Sequence, residues 1–405
     1  MIDRDSLSRR AREMPASPIR RLAPLATAAV REGRRVHYLN IGQPDIATPP
    51  EILRRLATYS PSNIAYGPSE GLPEFIETLR RYHARWGIEL EPHEIFVTTG
   101  GSEALLFVLA AIADHGDEVL VFEPFYANYS GFARLIGVDT VPVTTRADDG
   151  YHLPDAREIE SKITRRTRAI LLCSPNNPTG TVYDAAELER VAQICRTHGL
   201  YLVADEVYRE FTYDGRTHRS AMTLKGMEQQ VILTDSLSKR VSMCGARVGW
   251  IVSRNRALME AVLKFGQARL CPPTLGQYLG SGLDDVPETY MAEVLAEYQK
   301  RRDLVFEALA EIPGVTVRRP EGAFYLCARL PVDDAQRFAE FLLREFSLDK
   351  ETTMIAPADG FYATAGLGRQ EARLAYVLDR ERLDRAMRIV TAGLAAYPGT
   401  TTAGG

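Results

Sequence analysis

The chain has 405 residues, with 49 Lys and Arg against 53 Asp and Glu, a formal net charge of −4, and 45% hydrophobic and 25% charged residues. That balance is ordinary for a globular protein and argues against a general affinity for nucleic acid or an anionic membrane. No apolar run is long enough to span a bilayer, and the length suits two or three domains. At the N-terminus, Arg9, Arg10, Arg12, Arg20 and Arg21 suggest a transit peptide, but Asp3, Asp5 and Glu13 break the acid-poor pattern such peptides need. A solvated helix or arm is expected instead. The segment before about Gly42 has no core of its own and must pack on something else.

Residues 95–99 read as a strand and 102–115 as the helix after it. Between them, Gly100 and Gly101 allow close backbone approach, and the helix start offers free N–H groups to a phosphate. Many strand–helix junctions use the same turn for no ligand at all. Further strands are predicted at 118–122, 169–173, 201–204, 231–234 and 248–252. Several are apolar at nearly every residue, as strands covered on both faces are. Strands alternating with helices predict an α/β domain with a mainly parallel sheet. From about Pro287 the texture changes to a long charged helix over 288–311, then strands at 315–318, 323–328 and 373–377, as in a smaller α+β domain.

Three of the strand ends carry chemistry. After 169–173 comes Ser-Pro-Asn-Asn-Pro-Thr-Gly (174–180), a stiff loop presenting Asn177, which also reads as an ordinary Asn-Pro turn. After 201–204 comes Asp205, with Tyr208 three residues on. A carboxylate at a strand's carboxyl end points into the usual ligand crevice of an α/β sheet, where it can keep a pyridine nitrogen protonated. The same residue reads as a helix N-cap. After 231–234 comes Asp-Ser-Leu-Ser-Lys-Arg (235–240), and Arg247 lies beside glycines eight positions beyond Lys239. A lysine amine can form an imine with an aldehyde cofactor, and serine hydroxyls with a guanidinium can hold a phosphate. Cys173, Cys195, Cys244, Cys271 and Cys327 are odd in number and widely spaced, and the seven histidines are scattered. No metal site and a reduced, cytoplasmic protein are expected.

Together these segments resemble the class I/II aminotransferases of the fold-type-I pyridoxal-phosphate enzymes, and within them the bacterial aspartate aminotransferase-like subgroup. Ser-Pro-Asn-Asn-Pro-Thr-Gly, Ala-Asp-Glu-Val-Tyr (204–208), Ser-Leu-Ser-Lys (236–239) and Gly-Ala-Arg-Val-Gly (245–249) occur in the family's order. The likeness runs from Ala-Ser-Pro-Ile-Arg (16–20) and Asn-Ile-Gly-Gln-Pro-Asp (40–45) through 125–129 and 322–326 to Arg-Leu-Ala-Tyr-Val (373–377). It implies the fold-type-I transferase fold: a large domain with a seven-stranded, mainly parallel sheet between helices, and a smaller α+β domain. The expected limits are 1–45 for the arm and part of the small domain, 46–286 for the large domain, 287–398 for the small domain and 399–405 for a frayed tail.

The resemblance also implies roles. Lys239 carries pyridoxal 5'-phosphate as a Schiff base and acts as base and acid, with Asp205 on the pyridine nitrogen. Tyr208 and Asn177 contact the ring oxygen, and Tyr126 stacks on the ring. Gly101, Ser102, Glu103, Ser236 and Arg247 hold the phosphate. Arg373 forks the substrate α-carboxylate, assisted by Asn177 and the Gly42 backbone. Tyr66 reaches the phosphate of a neighbouring subunit, so a homodimer with shared sites is expected. Without the resemblance, Arg373 reads as a salt bridge and Tyr66 as a core aromatic.

The implied reaction is ping-pong transfer of an amino group between an L-amino acid and a 2-oxo acid. Two alternatives are another pyridoxal-phosphate reaction (β-elimination, decarboxylation or oxidation) and a non-catalytic regulatory module. Against the last, the chain opens almost directly into the family pattern, where regulators carry an added DNA-binding domain. In some aspartate-specific relatives a lysine follows Gly-Gly, but here Ser102 does. Arg269, before a proline pair, is then the candidate reader of a distal carboxylate; it also reads as a helix-end surface charge.

Overall fold

The computed structural model describes residues 7–14 and 16–401. In chain order the strands are β1 (Arg35–Tyr38), β2 (Ile95–Thr98), β3 (Glu118–Glu123), β4 (Asp139–Thr144), β5 (Thr167–Cys173), β6 (Tyr201–Asp205), β7 (Val231–Ser236) and β8 (Gly249–Val252). They are followed by β9 (Thr316–Val317), β10 (Tyr325–Arg329), β11 (Glu351–Met354), β12 (Ala356–Pro357) and β13 (Glu371–Ala375). Strands β2 to β8 form one seven-stranded sheet in the order β2-β8-β7-β6-β5-β3-β4. Only β8 runs antiparallel to its neighbours. This is the mainly parallel α/β sheet that the apolar runs predict.

Every residue of β2, β3, β7 and β8 is buried. Alternate side chains serve two cores, as the two-residue period of a strand requires. Val119 and Val121 pack with Leu105 and Val108 of the helix Gly100–Ile112. Leu120, Ile170 and Leu202 pack with Leu188 and Val191 of the helix Ala185–His198. That second helix starts where Asp184 Oδ1 accepts the N–H groups of Ala186 and Glu187 at 2.8 and 2.9 Å, with Glu187 reaching back to the N–H of Asp184.

A second layer contains the antiparallel sheet β12-β13-β10-β9, a parallel pair β1-β11, and the long helix Glu288–Ala310. The N-terminal segment does pack elsewhere: Leu22, Ala26, Ala29 and Val36 join the core that holds Phe338 and Leu342. Strands β1, β4, β11 and β12 are not predicted from sequence, and the strands expected at 323–328 and 373–377 each lie two residues away from the expected start. The tail expected to fray from Gly399 is held further. Thr400 pairs with Val332, and the N–H of Thr401 donates to Pro331 O at 2.9 Å. Tyr397 anchors this end by donating to Asp333 Oδ1 at 2.9 Å. Residues 402–405, like Asp3 and Asp5, lie outside the described residues. Among the described residues no helix is long and apolar enough to cross a membrane, and no cluster of His, Cys, Asp and Glu could hold a metal ion.

Behind the carboxyl ends of β6 and β7 lies a buried ion network. Arg240 donates to both oxygens of Asp235 at 2.6 Å and lies 4.2 Å over the Tyr82 ring. Arg209 donates to Glu206 at 2.7 Å and is fully buried. Arg240→Ala leaves Asp235 buried beside one fewer cation, and the expected loss is about 3–5 kcal/mol in urea unfolding. A loss under about 1 kcal/mol, the size of an exposed pair, would show that the pair does not hold this turn.

Candidate active site

Three neighbouring strands end on one cavity of about 490 Å³. From β5 the chain enters the loop that carries Asn177, β6 ends at Asp205, and β7 ends at Ser236. Ser236 caps the single-turn helix Leu237–Arg240, accepting the N–H of Ser238 at 3.3 Å, and that turn aims Lys239 into the cavity. Strand β13 brings Arg373 from the second layer.

The Lys239 amine donates to Gly42 O at 2.7 Å. Burial pushes its pKa below the ordinary lysine range; nearby Arg373 and Arg247 push the same way, while Cys244 and Asp205 oppose them. Asp205 is raised to about 6, chiefly by burial. Two donors oppose that rise: the Tyr129 hydroxyl at 2.7 Å from Oδ2 and the Val207 N–H at 3.4 Å from Oδ1. Tyr208 shares a 2.8 Å hydrogen bond with the Tyr325 hydroxyl and accepts from Asn177 Nδ2 at 3.5 Å. Arg373 is fully buried; Nη1 donates to Asn177 Oδ1 at 3.0 Å and Nη2 to Asn40 O, while Nε has no partner. The Tyr325 ring lies 4.5 Å from its guanidinium carbon.

On another wall, Gly101, Ser102, Ser236 and Arg247 line the cavity. Gly100 has φ +76°, and a Cβ there would lie 2.3 Å from Arg247 Nη2. Glycine at this turn lets the guanidinium and the helix N-terminus meet. Tyr126 also lines the cavity, its hydroxyl accepting from Asn128 Nδ2 at 2.7 Å.

Three expected site residues do not line this chain's own cavity. The Glu103 carboxylate turns back to accept the N–H of Thr99 at 2.8 Å and faces Arg269 Nε at 3.4 Å. Arg269, expected to meet a distal carboxylate, is directed to that internal carboxylate and to the carbonyls of Val97 and Ser69 at 3.2 and 3.4 Å. It lines no part of this cavity. Tyr66, expected at the phosphate of a neighbouring subunit, is 80% exposed and stands apart from the cavity of its own chain.

Four contributors carry no role in the sequence reading: Tyr129, Tyr325, Asn40 and Arg20. All stand inside the quoted segments. Tyr129 follows Tyr126 by three residues at a helix start, the spacing that brings side chains to one face. The other three are placed by tertiary packing, for which the sequence has no local signal.

The sequence matches the family described as aminotransferase class I and II over residues 34–389. The chain is 30% identical over 396 residues to a probable aspartate/prephenate aminotransferase of Aquifex aeolicus, covering 96% of this chain and 99% of that one. It is 32% identical over 371 residues to an arginine–pyruvate transaminase of Pseudomonas aeruginosa, covering 90% and 91%. The structure of an alanine aminotransferase from Pyrococcus furiosus superposes with a TM-score of 0.88 at 29% identity, covering 96% of this chain and all of that one.

Because the folded protein raises the Asp205 pKa to about 6, it binds that proton more tightly than the unfolded chain does. Stability from this group is therefore greatest below the unfolded carboxylate value and falls as pH rises towards 6. In protein stripped of bound small molecules, Asp205→Asn should remove a decline of at most about 3 kcal/mol between pH ~4 and ~6. Urea unfolding across that range checks it; parallel pH profiles for parent and variant would show that Asp205 is not desolvated.

Proposed function

This chain belongs to the class I and II aminotransferases, and from that premise we propose that it moves an amino group between an L-amino acid and a 2-oxo acid by a ping-pong mechanism, with pyridoxal 5'-phosphate as cofactor. The observation that carries the reading is the convergence of Lys239, Asp205 and Arg373 on one cavity.

The residues present fit that cofactor. The wall where Gly100 meets Arg247 offers backbone N–H groups, two serines and a guanidinium, a donor set suited to a phosphate dianion. Gly101, Ser102, Ser236 and Arg247 would hold it there. Asp205 would hold the pyridine nitrogen in its protonated form, while Tyr208 and Asn177 would contact the ring oxygen and Tyr126 the ring face. When bound, pyridoxal phosphate supplies an aldehyde and a protonated ring that draws electrons away from the substrate's Cα.

The chain's own groups do the rest. Desolvation favours the neutral amine of Lys239, so Nζ is suited to join the aldehyde and later to carry the proton taken from the substrate's Cα. The Arg373 Nε, buried without a partner, leaves one donor of the fork free for a carboxylate oxygen. Gly42 O holds the Lys239 amine beside that position. The four tyrosines around the cavity narrow the access of water.

A homodimer is part of the same reading. Tyr66 is exposed together with Leu53, Leu56 and Ile64, and apolar surface of this kind suits burial against a second copy. Five unpaired cysteines fit a reducing, cytoplasmic setting.

Borohydride reduction of the protein loaded with pyridoxal phosphate, followed by peptide mapping, should place the label on Lys239, and Lys239→Ala should lose transamination. A label on any other lysine would sink the assignment. Sedimentation at assay concentration should show a dimer, and Tyr66→Phe should weaken cofactor retention by roughly 10-fold or more, the loss of one hydrogen bond to a charged group. A fully active monomer, or a variant that retains the cofactor as the parent does, would exclude the shared site.

A further inference from the structure

Tyr325 touches three groups of the cavity, and the proposed function leaves it without a role. Its hydroxyl lies 2.8 Å from that of Tyr208 and has no other hydrogen-bond partner among the described residues. Its ring lies 4.5 Å from the Arg373 guanidinium carbon. A Cβ on Gly42 would fall 1.7 Å from the Tyr325 oxygen, so glycine leaves room for that hydroxyl beside the residue whose carbonyl accepts from Lys239. The position is held firmly. Strand β10 starts at Tyr325, opposite Ala375 of β13, and the buried ring stands edge-on to Tyr208 at 5.6 Å.

A phenol has a single proton, and two neighbours of Tyr208 compete for its oxygen. The first is Asn177. Arg373 Nη1 donates to Asn177 Oδ1 at 3.0 Å, which turns the Nδ2 of the same amide towards the Tyr208 oxygen, 3.5 Å away. The second is Tyr325. Of two paired hydroxyls, the better acid is the better donor. Burial raises the pKa of both. Arg373 opposes that rise at Tyr325, which is pushed up to about 12, while Tyr325, Cys173 and Tyr126 add to it at Tyr208. Tyr325 therefore donates and Tyr208 accepts, as it does from Asn177. The Tyr208 proton is left without a protein acceptor and faces the cavity that both residues line.

We infer that Tyr325 is a positioning residue: by donating to Tyr208 it commits the Tyr208 proton to the ring oxygen of the bound cofactor, and so sets how tightly the Lys239 nitrogen beside that oxygen holds its own proton. This rests on the proposed function. The ring oxygen carries negative charge, and a donor that takes up part of that charge weakens its hold on a proton at the neighbouring nitrogen. Arg373 governs both donors to Tyr208, Asn177 by orienting its amide and Tyr325 by its charge. The group proposed for the α-carboxylate is thus connected to the group proposed for the ring oxygen through contacts within the protein.

The test follows the visible absorption of the protein loaded with pyridoxal phosphate against pH, in the parent, Tyr325→Phe, Tyr208→Phe and the double variant. Phenylalanine keeps a ring beside Arg373 and removes only the hydroxyl. Tyr325→Phe should move the midpoint of the absorption change to higher pH by roughly 0.5–1 pH unit, the size of one neutral hydrogen bond. Tyr208→Phe should move it further in the same direction, and adding Tyr325→Phe to that variant should move it no more, because Tyr325 acts through Tyr208. A midpoint that Tyr325→Phe leaves in place or lowers, or one that it moves equally with and without the Tyr208 hydroxyl, would overturn the role. Urea unfolding of the same four proteins, stripped of bound small molecules, reads the hydroxyl pair without the cofactor. The two substitutions should be non-additive there, and strict additivity would overturn the bond between them. A parent protein that shows no visible band with pyridoxal phosphate would overturn the proposed function instead, and the unfolding cycle would still decide for or against the bond from Tyr325 to Tyr208.

Discussion

Alternate residues at the carboxyl ends of β6 and β7 separate two sets of buried charge, and the site depends on that separation. Asp205, Ser236 and Lys239 line the cavity, while their neighbours Glu206, Asp235 and Arg240 belong to the network behind it. A buried charge is tolerable only when paired and hydrogen-bonded. The rear set pairs its charges within itself, although Arg209 Nε and Arg240 Nε and Nη1 have no hydrogen-bond partner: Glu206 accepts from Arg209, His218, Ser220 and the N–H of Ala221 at 2.7, 3.0, 2.9 and 2.8 Å. Arg240 lies against Tyr82 and Trp250, and it immobilises the turn one residue from the Lys239 amine.

The front set differs in that Asp205 faces the hydroxyl of Tyr129 and the Lys239 amine a backbone carbonyl, neither of them an opposite charge, and this is what gives it chemistry. Burial acts in opposite senses on its two titrating groups, lowering the Lys239 pKa and raising that of Asp205. Both shifts favour the neutral form. A neutral amine suits attack on a carbonyl carbon and transfer of a proton. A carboxyl poised near 6 becomes fully charged once a cation such as a protonated pyridine stands against it. Tyr129 moderates the second shift by donating to Asp205, and so keeps the carboxylate accessible near neutral pH.

Much of this was legible in the sequence because it is local. Strand ends, Asp205, Asn177 and the Ser236–Lys239 turn are each specified within a few residues of chain, and the structure brings them to one cavity. What escaped is non-local. Strand β4 has mixed exposure and includes Pro142, so it shows neither alternation nor an apolar run. Strands β1 and β11 are four residues each and pair across more than 300 residues of chain. The surroundings of Arg269 are non-local as well. As a helix-end arginine it looked available, and nothing near it in sequence shows that Glu103 turns back to meet it.

The groups on the strand ends and the N-terminal arm are held in different ways. The reacting groups sit on strand ends and one tight turn, where each is backed by buried contacts and a small displacement would disturb the ion network. Arg20 sits on an arm anchored by its own turn, by Pro18 on Gly360 and by Asn40. Its side chain has no protein partner to lose, so the charge at this position is set independently of the fold. Asn40 is the point where the two systems meet, its amide holding the arm and its carbonyl holding Arg373. This link holds the backbone of the arm against the residue that holds the Arg373 guanidinium. A change at Asn40 would therefore be felt both by the arm and by the Arg373 guanidinium.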